Sequence, residues 1–207
     1  MKKTIGRFIV LEGIDGAGKT TQAELLEKHL VSLGRRVIRT AEPTGFEGGV
    51  RLREALGGKI KKSECEMATM FVLDRIEHNI HPTEGIGTLI EQGYDVICDR
   101  YYYSTLAYQG HSTSYEWVKA MNLLCPEIRK PDICIYLDLT PEQSLERISR
   151  GRDTVEIYEN RETLEAVRSA FFKVFEDLSG RDNIAIIDAY RSPEEISAQI
   201  CAAVDLI

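Results

Sequence analysis

Several things are missing from this sequence, and each absence narrows its class. No apolar run approaches the ~20 residues that a membrane-spanning helix needs. There is no basic excess: the net charge is −7, with 33 acidic against 26 basic residues. That argues against a nucleic acid polymer as partner, since a polymer needs a basic face. A nucleotide is still possible, because a few backbone N–H groups and one cation can hold it on an acidic protein. The five cysteines, at 65, 98, 125, 134 and 201, are odd in number and show no C-x-x-C spacing, so neither a disulfide framework nor a thiolate zinc site is expected. Cys98 and Cys134 lie inside apolar runs and read as reduced core residues of a cytosolic protein. His78 and His81 have no third ligand near them in sequence, so no metal role is assigned to them. Met1-Lys2-Lys3-Thr4-Ile5-Gly6 leads straight into the first apolar run, and no signal peptide is expected. There is no internal repeat, low-complexity stretch or linker, and 207 residues suffice for one α/β domain with a full core.

What is present is dominated by Gly13-Ile14-Asp15-Gly16-Ala17-Gly18-Lys19-Thr20, which fits G-x-x-x-x-G-K-S/T at every fixed position. Phe8-Ile9-Val10-Leu11 before it reads as a buried strand, and Thr21 through Leu30 after it carries Leu and Ala at helical spacing. Strand, glycine loop and helix are the context that a P-loop requires. Glycines let consecutive N–H groups curl around a phosphate chain, and the helix N-terminus adds its partial positive charge. Lys19 is expected to reach the β- and γ-phosphates of ATP, and the Thr20 hydroxyl to ligate Mg²⁺. The ATP-binding set is then Gly13, Ile14, Asp15, Gly16, Ala17, Gly18, Lys19, Thr20 and Thr21.

Further strand-like runs are Arg36–Thr40, Tyr94–Cys98, Ile133–Leu137 and Ile184–Ile187, rich in Val, Ile and Leu as in parallel strands buried on both faces. Helix signals fill the gaps. Gly34 and Gly93 sit where helices close, Ser63-Glu64-Cys65-Glu66 is a capping box opening a helix to about Asn79, and Thr140-Pro141-Glu142-Gln143 and Ser192-Pro193-Glu194-Glu195 are helix starts. The expected fold is α/β: a doubly wound five-stranded parallel sheet with helices on both faces, the P-loop NTPase fold, in a single domain spanning 1–207. Ligands should gather at the carboxyl ends of the strands. Glu42-Pro43 and Asp99-Arg100 fall there, as does the P-loop.

Asp99 ends an apolar strand and reads as a Walker B aspartate holding Mg²⁺. Arg100 follows at once, and a guanidinium is a bidentate phosphate ligand. Arg147-Ile148-Ser149-Arg150-Gly151-Arg152-Asp153 places three arginines within six residues, just after a predicted helix. A lid here, at about residues 147–158, could bring Arg150 or Arg152 onto the transferring phosphoryl group.

Together these pieces resemble the thymidylate kinases over roughly Phe8 to Tyr190. The resemblance rests on E-G-x-D-G-A-G-K-T-T-Q from Glu12, Glu42-Pro43, Phe71 with Arg75, Asp99-Arg100-Tyr101, Ser104 with Ala107-Tyr108-Gln109, Lys130-Pro131-Asp132, and Glu156 with Tyr158-Glu159-Asn160. It implies transfer of the γ-phosphoryl group of MgATP to dTMP in dTTP synthesis, by a cytoplasmic homodimer. It also implies residue roles. Phe71 would stack on thymine, where the residues alone equally allow core packing. Arg75 would bond O4, and Arg100 would grip the dTMP phosphate. Asp15 would approach the sugar 3′-hydroxyl or the metal. Glu42, Pro43, Ser104, Tyr108, Gln109 and Tyr158 would line the nucleoside pocket, with Tyr108 or Tyr158 crowding the ribose 2′ position. Arg147 would pack on adenine, and Arg53 would stand on the dTMP side. Met67, Met70, Val72 and Leu73 suit a dimer interface and equally a core.

The chain departs from parts of the family pattern. Position 16 is Gly, where some members have a basic residue, so the lid arginines would carry that charge; but Ile157 stands where the eukaryotic pattern E-R-Y-E has arginine, which leaves open which lid arginine acts. Another P-loop monophosphate or deoxynucleoside kinase is the alternative, although Arg75 and Arg100 favour a monophosphate acceptor. A regulatory GTP-binding switch is disfavoured, because the chain has no N-K-x-D and the Asp99 strand runs into Arg100-Tyr101-Tyr102 and not into a D-x-x-G.

Overall fold

The computed structural model describes residues 5–149, the backbone of 150 and 151, and residues 161–207. Five parallel strands form one sheet: β1 (Phe8–Glu12), β2 (Arg36–Ala41), β3 (Tyr94–Asp99), β4 (Ile133–Asp138) and β5 (Ile184–Asp188), in the spatial order β2-β3-β1-β4-β5. The helices are α1 (Lys19–Ser32), α2 (Glu47–Leu56), α3 (Glu64–Ile80), α4 (Ile86–Glu91), α5 (Tyr102–Ser112), α6 (Tyr115–Leu123), α7 (Pro141–Gly151), α8 (Arg161–Leu178) and α9 (Pro193–Val204).

Every strand runs one residue beyond its apolar run. Backbone pairing continues after the hydrophobic pattern stops, so Leu11 pairs with Asp99 and Glu12 with Tyr136 in the ladder. The acids Glu12 and Asp99 thereby end adjacent central strands. β1, β3 and β4 are almost wholly buried, whereas β2 and β5 are half-exposed. The expectation that all five strands are buried on both faces therefore fails for the two edges, which have one neighbour each.

Local signals set the helix ends. Ser63 accepts from Glu66 N at 3.2 Å while Glu66 accepts from Ser63 N at 2.9 Å, and Ser192 with Glu195 repeats this box. Thr140 and Gln143 exchange a similar pair of bonds. The helix after Thr140 runs further than its sequence pattern predicts. Arg147 to Gly151 belong to α7 and not to a loop following it.

The connection reverses direction around β1: β2 and β3 lie on one side of it, and the chain then crosses to the other side for β4 and β5. A crevice opens at such a switch point, at the carboxyl ends of the strands. The clefts described next lie there.

Candidate active site

The loop after β1 can only be built with glycine at its ends. Gly13 has φ 151°, and a Cβ there would meet Leu137 O at 2.8 Å. Gly18, at φ 88°, is the N-cap of α1, which has no side-chain cap and no acid in its first turn. Ile14 and Ala17 turn their side chains into the core, so they present only backbone to the loop. The loop is tied to α7 by the Ser144 hydroxyl, which donates to Asp15 O at 2.6 Å. Lys19 folds back along the loop, its ammonium donating to Gly13 O at 3.0 Å and Ile14 O at 3.3 Å. Burial, with Arg100 nearby, lowers its pKa; Asp99, Asp15 and Glu12 work the other way. A cleft of about 510 Å³ lies over this loop, lined by Asp15, Gly16, Gly18, Lys19, Thr20 and Thr21, by Asp99 and Arg100, and by Arg147 from α7.

Asp99 Oδ1 is buried without a hydrogen-bond partner, and Asp99 lines this cleft with Thr20. A buried carboxylate oxygen left bare is costly unless a cation meets it. One carboxylate and one hydroxyl are also the sparse, all-oxygen protein contribution that Mg²⁺ takes when phosphates and water supply the rest. The residues fit that ion.

Arg100 has φ 68°, the one positive φ outside glycine among the described residues. Its backbone carbonyl accepts from the Cys98 thiol and its N–H donates to Leu11 O. The strained turn sends the guanidinium back over the sheet end, where it donates to Asp15 Oδ1 at 2.5 Å and Ser104 Oγ at 3.1 Å. Burial opposes its charge, but Tyr108, Asp15, Glu12 and Asp99 outweigh that and raise its pKa, so the cation persists.

A second pocket of about 190 Å³ adjoins the first. Phe71 and Arg75 from α3 face Ser104, Thr105, Tyr108 and Gln109 from α5 across it, with Leu56 and Tyr101 completing the wall. Asp15, Glu42, Pro43 and Arg100 line both spaces. The Arg75 guanidinium is held from three sides, donating to Glu42 Oε2 and Asn122 Oδ1 at 2.5 Å each and to Thr105 Oγ1 at 3.1 Å. Its Nε is buried with no partner. Tyr108, whose hydroxyl burial pushes up to about 12, stands beside Arg100 with its ring centroid 5.8 Å from the guanidinium carbon.

The thymidylate kinase family model matches residues 11–200 of this chain. The chain belongs to the thymidylate kinase family. It is 41% identical to a probable thymidylate kinase of Methanococcus aeolicus, over 84% of this chain and 81% of that protein. It is 36% identical to a thymidylate kinase of Sulfurihydrogenibium sp., over 93% of each. With a probable thymidylate kinase of Pyrococcus abyssi it shares 38% identity over 96% of each.

Most site residues expected for a thymidylate kinase meet around the two clefts, with some changes of place. Arg53 lines the P-loop cleft and not the Arg75 pocket, and its guanidinium is anchored on Thr44 O and Pro43 O. Glu42 forms a wall of both clefts, yet its carboxylate is turned inward to Arg75 and His78. Arg147 donates to Ala189 O at 2.6 Å, with a guanidinium nitrogen near Gly18, so it bridges α7, the β5 exit and the P-loop edge. The side chain of Arg150, and Arg152 and Tyr158 entirely, lie outside the described residues. Met67 and Val72 are buried in the core, while Leu73 is 64% exposed.

Glu12 is a residue whose part sequence reasoning missed. Wholly buried, it accepts from Tyr101 N at 2.8 Å, Ser104 N at 3.1 Å and Ser104 Oγ at 2.6 Å. It caps the start of α5 from the end of β1, and so fixes the turn that carries Arg100. Burial raises its pKa, against the pull of Arg100 and of these hydrogen bonds. The signal was an acid one residue past the partner of Asp99 on the neighbouring strand, visible only once the sheet order and register are known.

Proposed function

We infer that this thymidylate kinase transfers the γ-phosphoryl group of ATP to dTMP, giving dTDP and ADP. Besides the family, the observation that carries the reading is the shared wall. Arg100, Asp15, Glu42 and Pro43 line both the P-loop cleft and the Arg75 pocket, so a donor phosphate in one meets an acceptor phosphate in the other beside a single guanidinium.

In this reading the P-loop N–H groups and Lys19 bind the ATP phosphates, and Arg147 flanks the adenine. Thr20 and Asp99 would hold Mg²⁺, which neutralises the β- and γ-phosphate oxygens when bound. Phe71 stacks on thymine and Arg75 donates to O4, its unpartnered Nε being the group that still needs an acceptor. Tyr108, Ser104 and Gln109 enclose the sugar, with Tyr158 assigned to the same pocket. Arg100 turns from Asp15 to the dTMP phosphate, and Arg53 faces the same junction. The phosphate of dTMP is itself the nucleophile. Its second pKa is about 6, so it attacks as the dianion and no side chain has to remove a proton. What remains is to align two anions and to stabilise charge on the moving phosphoryl group. Lys19, Arg100 and a lid arginine, Arg150 or Arg152, supply the cations.

A homodimer through α3 belongs to the same reading. It is supported by Leu73 and Ile80, exposed one above the other on that helix. The five free thiols fit a reducing compartment, and we place the enzyme in the cytoplasm.

The test is ADP release by the purified protein with MgATP and dTMP, dUMP, dCMP, dGMP or thymidine as acceptor. dTMP is expected to give the highest kcat/KM. A markedly better acceptor than dTMP overturns the reading.

A further inference from the structure

We propose that His78 is a positioning residue for base selection, acting through Glu42 on Arg75. The proposal rests on the reading of the Arg75 pocket as the dTMP site. His78 lines neither cleft, so the role proposed for it is indirect.

Four residues form a chain. The Arg75 Nη2 donates to Glu42 Oε2 at 2.5 Å. The other oxygen of Glu42, Oε1, lies 3.0 Å from His78 Nδ1, and His78 Nε2 lies 2.8 Å from Thr40 Oγ1. A carboxylate only accepts, so Nδ1 carries the proton; in the neutral ring Nε2 then accepts from the Thr40 hydroxyl. Thr40 is on β2 and paired with Cys98 of β3, so the chain is anchored in the sheet.

Each link removes a freedom that matters at the far end. A guanidinium is planar, so fixing both Nη atoms fixes the direction of Nε–H. Of the three groups that hold Arg75, Glu42 is the charged one and so the strongest. Yet the terminal torsion of a glutamate is broad and roughly two-fold, and a single bond to Arg75 does not set its plane. The bond from His78 to the second oxygen does. Side-chain exposure is 1% for Arg75 and 2% for both Glu42 and His78, so water is not at hand to replace a lost bond. The orientation of the Arg75 guanidinium, which lines the pocket, is thus set two residues away from it.

His78→Ala should raise KM and the equilibrium Kd for dTMP about tenfold, the effect of about one hydrogen bond. KM for ATP, and kcat at saturating dTMP, should stay within about twofold. The dTMP/dCMP ratio of kcat/KM should fall at least about threefold. His78→Asn places an amide N–H near the Nδ1 position and should recover most of the dTMP affinity. Should His78→Ala not fold, Thr40→Val loosens the chain from its other end and should give a smaller loss in the same direction. Arg75→Ala is measured alongside. If Arg75→Ala leaves dTMP affinity unchanged, the assignment of the pocket fails, and this proposal with it. If Arg75→Ala weakens dTMP but the folded His78 or Thr40 variant does not, the positioning role alone fails. Equal losses for ATP and dTMP, or His78→Asn as impaired as His78→Ala, would also overturn it.

Discussion

Arg75→Ala should do two separable things, because Arg75 is half of a buried ion pair as well as a wall of a pocket. The side chains of Arg75 and Glu42 are 1% and 2% exposed and 2.5 Å apart. Removing one partner of such a pair strands the other charge, which costs about 3–5 kcal/mol. For a chain of this size each kcal/mol moves Tm by about 2–4 °C, so a drop of about 6–20 °C is expected. Glu42 keeps only His78, and Asn122 and Thr105 lose their donor. The double variant Glu42→Gln/Arg75→Ala strands no charge and should be more stable than the Arg75→Ala single by about 1–2 kcal/mol, a coupling within the usual range for contacting residues. Urea unfolding of wild type, both singles and the double measures this, provided the slope m is unchanged. The dTMP/dCMP ratio of kcat/KM, taken on the same proteins, should fall in both variants lacking Arg75 and stay lost in the double. Stability returns while selectivity does not. If Arg75→Ala costs under about 1 kcal/mol, the pair is not desolvated as described. If the double regains selectivity, Arg75 is not the base reader.

Lys19→Ala should cut kcat/KM at least about 100-fold, while stability stays within about 1 kcal/mol because burying the ammonium is itself unfavourable; turnover retained at saturating ATP would remove the loop from the mechanism. Arg150→Ala/Arg152→Ala should lower kcat about 10³-fold with little change in either KM, since a cation that meets the phosphoryl group only on closure acts on the transition state. A normal kcat in this variant would make these arginines a solvated surface. Asp95 supports stability far from the site: buried, it accepts from Arg7 and Arg35, which overcome the burial effect and lower its pKa. A lowered folded pKa gives stability that is present above the unfolded value of about 3.9 and lost as pH falls through the folded one. The stability gap between wild type and Asp95→Asn should hold from about pH 5 to pH 8 and narrow below about pH 4; a gap unchanged down to about pH 2 would show that the arginines do not depress it.

Much of the protein was legible in order along the chain, because the physics there is local. A G-x-x-x-x-G-K-T loop between an apolar run and a helical pattern needs only neighbouring residues to be recognised. The same holds for the capping boxes at Ser63 and Ser192, which close within three residues. Strand cores were readable too, with Asp99 as the end of its strand, but not the last residue of β1, since pairing with β4 carries Glu12 into the ladder after hydrophobicity has ended. What only tertiary structure decided depends on partners distant in sequence. Which strands are edges followed from the sheet order, and Glu12 became the cap of α5 because β1 lies beside β3. Arg75 looked like a free base reader until Glu42, Thr105 and Asn122, 33, 30 and 47 residues away, closed around it. No spacing rule reaches such separations. Glu42 was placed near the ligand but not against Arg75, and Thr105 and Asn122 carry no local signal; burial is what obliges each to find its partner.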